Sequence, residues 1–178
     1  MVSEAAGAQV NPDGEPSGEP PCELAVVGCG DLTRADDGAG PALVRRLRED
    51  GVPPGVRLID GGTAGVNVAF QLRGARRVVV VDATSTGAAA GTVFRVPGTE
   101  VEDMPPLSGL ASYSFRWDHA LAFARWLLAD EYPADVTVYL IEAMDLTPGA
   151  ELSQPAREGI DQVLDLIRRE RAFRPQRR

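Results

Sequence analysis

Residues 24–40 read LAVVGCGDLTRADDGAG, and this stretch decides the fold. The apolar run LAVV has no alternating polar positions, as expected of a strand covered on both faces. Gly28 and Gly30 give the chain a tight exit, and a helical pattern, GAGPALVRRLRED, follows from Gly38 to Asp50. Strand, glycine turn and helix in that order open a βα unit.

The same grammar continues along the chain. Strands are expected at Leu24–Val27, Val56–Ile59, Val78–Val81, Thr92–Val96 and Val136–Ile141. Helices are expected at Gly38–Asp50, Val66–Leu72, Asp118–Asp130 and Gln154–Arg171. In STGAAAGTVFRV a short Gly/Ala loop leads directly into a strand, too short for a crossover helix, so an antiparallel member is expected there. The fold class is therefore α/β: a three-layer sandwich with an about five-stranded, mostly parallel (mixed) sheet and helices on both faces.

At 178 residues with 44% hydrophobic content, one domain with a real core is the expectation. Residues 1–21, rich in Pro, Gly, Ser and Glu, read as a disordered acidic tail. Residues 22–171 form the single α/β domain, and 172–178 an arginine-rich C-terminal tail, read most simply as solvated. A net charge of −8 and a pI near 4.7 exclude a nucleic-acid binder, which needs a basic stripe to displace counterions. Two cysteines make no disulfide framework, no apolar run approaches the ~20 residues of a membrane span, and the N-terminus lacks a signal-peptide pattern. A cytoplasmic protein with no membrane or nucleic-acid partner is expected.

The glycine loop invites a nucleotide, but its details oppose one. The dinucleotide fingerprint needs a third glycine where Thr33 stands. Asp60, at the end of the second strand, follows Gly28 by more than the spacing of about 20 residues of a ribose-binding acid. Asp31, Asp36 and Asp37 would repel a diphosphate, and without any lysine a Walker loop is excluded.

Reversed in sign, the same electrostatics attract a cation. Asp36 and Asp37 follow the first strand, Asp60 ends the second and Asp82 ends the third. In an open α/β sheet these positions share the crevice beyond the carboxyl ends of the strands. The one histidine, His119, opens the helical stretch DHALAFARWLLAD. Carboxylates with one imidazole suit Ni(II), Zn(II) or Mn(II), and three protein ligands leave coordination positions open. Each residue also has an ordinary alternative. Asp36 or Asp37 could cap the first helix, Asp60 and Asp82 could hold turns, and His119 could be a surface residue after its cap Asp118. Cys29, set among carboxylates, suits a small apolar space better than a thiolate nucleophile. Phe115 and Trp117 flank the histidine as either rim or core.

Four ordered stretches carry a resemblance. VVGCGDLTRADDGAGPALVRRL (26–47) is similar to the N-terminal motif of the hydrogenase maturation proteases, and LIDGGTAGVNVAFQL (58–72) to their Asp-Gly-Gly-Thr motif. VVVVDATSTGAAAGTVFRV (78–96) resembles the third motif, a strand ending in Asp-Ala, and RWDHALAFARWLLA (116–129) the histidine motif. YLIEAMDLTPGAELSQPAREGIDQVL (139–164) resembles the family's last strand and helix. The resemblance implies a cytoplasmic endopeptidase that removes the C-terminal extension of a nickel-loaded NiFe-hydrogenase large-subunit precursor, and a monomer is expected. It places nickel contacts on Asp37, Asp82 and His119 and links Asp60 to cleavage. The nickel arrives with the substrate, and other divalent ions could substitute for it. Asp31 stands where the family usually has asparagine, which bears on the grip on substrate. A non-catalytic docking factor for the same metallated precursor is the rival reading, and a nucleotide-binding module the second.

Overall fold

The computed structural model describes residues 20–63, 65–102 and 117–173, with backbone alone at 65–67, 101–102 and 117–120. The expected tails at 1–21 and 172–178 fall mostly outside these residues.

Among the described residues, five strands form one sheet: β1 (Leu24–Cys29), β2 (Val56–Gly62), β3 (Arg77–Thr84), β4 (Val93–Pro97) and β5 (Asp135–Glu142), in the order β2-β1-β3-β5-β4. β1, β2, β3 and β5 are parallel, and β4 pairs antiparallel with β5. The expected mixed sheet is present. Its antiparallel member occupies an edge because its eight-residue connection from β3, residues 85–92, carries no crossover helix.

Among the described residues, five helices complete the layers: α1 (Ala39–Asp50), α2 (Gly65–Gln71), α3 (Gly98–Glu102), α4 (Trp117–Leu128) and α5 (Gln154–Arg168). One face of the sheet, with Ala25, Val27, Val78, Val80 and Val138, packs against Val68 of α2, Leu72 just after that helix, and Leu121 and Leu128 of α4. The other, with Val26, Val79, Val81 and Ile141, packs against Leu43 and Leu47 of α1 and Ile160, Val163 and Ile167 of α5. Successive strand residues thus feed opposite cores, which is why the strands read as unbroken apolar runs. Leu43, Leu47, Leu72 and Leu121 are fully buried, each worth about 2 kcal/mol for leaving water.

Several boundaries differ from expectation. The strands extend one to three residues further, carrying Asp60 and Asp82 inside β2 and β3 rather than at their last positions. A 3-10 turn, Ala35–Gly38, precedes α1, and another, Arg171–Phe173, follows α5, whose α-helical part ends at Arg168. The short α3 was not expected. Gly98 begins it because Val136 lies 2.6 Å from where a β-carbon would stand.

Candidate active site at the carboxyl edge

The glycines of the first loop are explained by contact between backbones. A β-carbon on Gly28 would stand 2.2 Å from the Gly40 carbonyl oxygen. One on Gly40 would stand 2.3 Å from the Val81 carbonyl oxygen and 2.4 Å from that of Cys29. The first turn of α1 therefore rests directly on β1 and β3, an approach only glycine permits. Gly30 has φ +121°, and a β-carbon there would lie 1.8 Å from the Asp37 carbonyl oxygen.

The two adjacent carboxylates of this loop have separate fates. Asp36 is buried at 1% exposure, its Oδ2 accepting from Met144 N (2.8 Å), Asp145 N (3.1 Å) and Ser153 Oγ (2.8 Å), its Oδ1 from Ser153 N (2.7 Å). It locks the β1–α1 loop to the β5–α5 loop, aided by Asp36 N donating to the Asp145 carbonyl. Ala35, at φ +47°, is held in the left-handed region just before it. Asp37 is half-buried, and its Oδ2 accepts from Asp31 N at 3.2 Å. Neither side chain caps α1, whose N-cap is Gly38 without a side-chain bond, so the capping alternative is not realised.

Asp82, on β3, is 9% exposed, and its Oδ1 accepts from Ala83 N at 2.8 Å. That oxygen lies 3.4 Å from the β-carbon position of Gly30, so Asp37 and Asp82 border the same glycine. Asp60 is exposed on the edge strand β2, its Oδ1 accepting from Gly62 N at 3.1 Å. Gly30 N donates to the Gly62 carbonyl at 3.0 Å, stitching the exits of β1 and β2 together. Asp60 and Asp82 both act on the thiol between them: burial pushes Cys29 well above the ordinary cysteine value, and the two carboxylates add to it. Cys29 packs in the core beneath the loop, as the sequence suggested.

His119 lies in the first turn of α4. That helix packs on the Cys29 face and ends shortly before β5 begins, so its first turn belongs to the carboxyl edge. The His119 side chain lies outside the described residues, as do Phe115 and the side chain of Trp117. Among the described residues, no three metal-binding side chains gather into one cluster.

Two residues escaped the sequence reading. Glu142, 2% exposed at the end of β5, accepts from Thr86 N, Thr86 Oγ1 and Gly87 N at 2.8 Å each. Burial alone would raise its carboxyl, but these donors outweigh it and hold the group below the usual glutamate value. Ser153 both caps α5, through Ala156 N at 3.3 Å, and anchors Asp36. The LSQP stretch carried that cap signal, serine before a first-turn proline. Asp31, in the same loop, turns onto Thr33. Its Oδ1 accepts from Thr33 Oγ1 (2.6 Å) and Thr33 N (2.8 Å), which lowers its pKa.

A family model described as hydrogenase maturation protease, HycI, matches residues 41–170. The hydrogenase expression/formation protein HupM of Azotobacter chroococcum mcd 1 is 30% identical over 143 residues, which is 79% of this chain and 68% of that protein. HupD of Thiocapsa roseopersicina is 30% identical over 146 residues, 81% and 65% of the two chains. Among solved structures, the hydrogenase maturating endopeptidase HybD from E. coli superposes with a TM-score of 0.68 at 23% identity, over 82% of this chain and 89% of that one. The NiFe-hydrogenase maturation protease HybD from Thermococcus kodakarensis gives 0.66 at 23% identity, over 82% and 96%. The two structures share the fold, and the match of the family model across most of the domain settles descent: this chain belongs to the hydrogenase maturation protease family.

Proposed function

We propose that this chain is the endopeptidase that removes the C-terminal extension of a nickel-loaded NiFe-hydrogenase large-subunit precursor. The observation that carries the reading is the convergence on Gly30 of the Asp82 carboxylate and the main chain of Asp37, with Asp60 exposed on the next strand. Family membership supports the protease chemistry and the hydrogenase precursor as substrate.

In this reading Asp37 and Asp82 supply carboxylate oxygens, and His119 an imidazole nitrogen, to nickel that the precursor already holds. A precursor without nickel offers nothing to these groups and is not seated. Seating fixes the scissile peptide in the crevice, and that positioning supplies much of the rate. Asp60, the exposed carboxylate of the set, takes the proton from a water attacking the scissile carbonyl carbon. The C–N bond breaks as Asp60 returns that proton to the departing amine, which restores the carboxylate. Cys29 takes no part, because its buried thiol is held protonated between two carboxylates.

The test is incubation of the purified chain with precursor prepared with and without nickel, read by the mass of the precursor. Trimming of the nickel-loaded form alone, lost in Asp37→Asn and His119→Ala, is the expected result. A stable complex that is never trimmed would instead identify a docking factor.

A further inference from the structure

The outward faces of the helices differ in kind. Those of α1 and α5 are charged and internally paired, as in Arg46 with Asp161 and Arg168 with Asp50. α4 reads ALAFARWLLA over 120–129, and its described outward positions hold Ala122, Phe123, Arg125 and Trp126, with no acid. Trp126 is 76% exposed, and Phe70 of α2 is 55% exposed. Phe123 joins them: its ring meets Phe70 edge-on at 6.3 Å and stacks on Trp126 at 5.8 Å. Phe70 and Trp126 thus face water across α2 and α4, linked by the half-buried ring of Phe123. Aromatic and arginine side chains on a rigid helical surface are the composition of protein-interface anchors.

Position favours one occupant. On α4, Phe123 lies four residues after His119 and Trp126 three further on, one stripe of the helix leading away from the carboxyl edge. Phe70 lies on the helix that directly follows Asp60 and the end of β2. The aromatic face therefore continues from the candidate site along the two helices that border it. A second copy of the chain fits poorly. Three partly exposed rings bury a few hundred Å² at most, against the roughly 800 Å² per partner of a stable interface. Each copy also carries a net charge of −8, which opposes self-pairing. We infer that Phe70, Phe123 and Trp126 form a docking face for the folded body of the large-subunit precursor, outside the crevice that receives its extension. The inference rests on the substrate proposed above and adds where that substrate is gripped. It assigns these rings to binding, with no part in bond cleavage.

The experiment compares wild type with Phe70→Ser/Trp126→Ser and with Trp126→Phe, using purified nickel-loaded large-subunit precursor. Precursor affinity, KM and kcat for trimming, melting temperature and solution mass are measured. The double variant is expected to bind about tenfold or more weakly and to raise KM by a similar factor. Its kcat and melting temperature are expected to match wild type, while Trp126→Phe keeps most of the affinity. Unchanged affinity and KM overturn the docking face and leave the protease reading standing. A clear fall in melting temperature shows the face covered by the chain's own residues, and a wild-type dimer split by the variant shows a second copy there. Either result overturns the inference. Precursor bound through these rings but never trimmed sinks the protease reading alone, and no wild-type binding at all removes both.

Discussion

Asp36 and Ser153, 117 residues apart in sequence, are joined twice: the Ser153 backbone N–H donates to Oδ1 and its hydroxyl to Oδ2 of the same carboxylate. Two further backbone donors, from Met144 and Asp145, complete the shell. Asp36→Ala would strand three backbone N–H groups, and bonds to a charged acceptor are worth about 1.5–3 kcal/mol each before non-additivity. A loss of about 3 kcal/mol or more is expected, read as a lower urea midpoint at unchanged slope.

Its neighbour predicts the opposite phenotype. Asp37→Asn keeps an oxygen for Asp31 N and removes only charge from a half-buried position. Stability is expected within about 0.5 kcal/mol of wild type. Trimming of nickel-loaded precursor is expected to fall by about a hundredfold or more, because seating is lost. A variant that unfolds before it loses activity would place Asp37 with Asp36 as a structural residue.

Gly40→Ala forces a β-carbon into the Val81 and Cys29 carbonyls, neither of which can swing aside. Overpacking of this kind costs about 2–3 kcal/mol. Gly149→Ala, at φ +80° with open space around it, is the control and costs about 1 kcal/mol from backbone strain alone. Equal losses in thermal melts would rule out the packing explanation.

Glu142 predicts an acid limb in stability. Its folded carboxyl is depressed below the usual glutamate value of 4.5, so on acidification the unfolded chain takes up the proton first. The group's contribution is fully present above that value and is lost as pH falls through the lower folded pKa. Glu142→Gln is therefore expected to be less stable than wild type near pH 7, with a shallower decline on acidification. Melting temperatures collected across that range check both parts.

Cys29→Ala is expected to keep trimming, because the thiol is buried and held protonated. Half-buried Cys22 is expected to react first with a thiol reagent on the native chain, which peptide mapping would reveal. Loss of cleavage in a folded Cys29→Ala variant would overturn the carboxylate scheme.

Much of this was legible in the sequence because it rests on local pattern. Unalternated valines give buried strands, and a short Gly/Ala connection gives β4 its antiparallel edge. Asp60 and Asp82 reach the carboxyl edge from strand ends alone. What stayed hidden depends on distant partners. Nothing near Asp36 announces Ser153, and nothing near Glu142 announces the loop at Thr86. That Asp36 is a brace and Asp37 the freer group follows only when the β5–α5 loop is folded over the first of them. Strand lengths and the 3-10 turns at helix ends depend on neighbours in space, so they moved by a few residues.

The backbone contact between Gly28 and Gly40 has a further consequence for how such a protein changes over time. With both ends pressed together, the loop between them is a closed ring of fixed circumference. Residues at its rim, such as Asp31 and Thr33, can be exchanged without altering where Asp37 stands. An insertion or deletion within the ring would have to part the two glycines and lift α1 from the sheet. Variation in this region is therefore channelled into side-chain identity at constant length, and new preferences can arise there while the position of the neighbouring carboxylates is inherited unchanged.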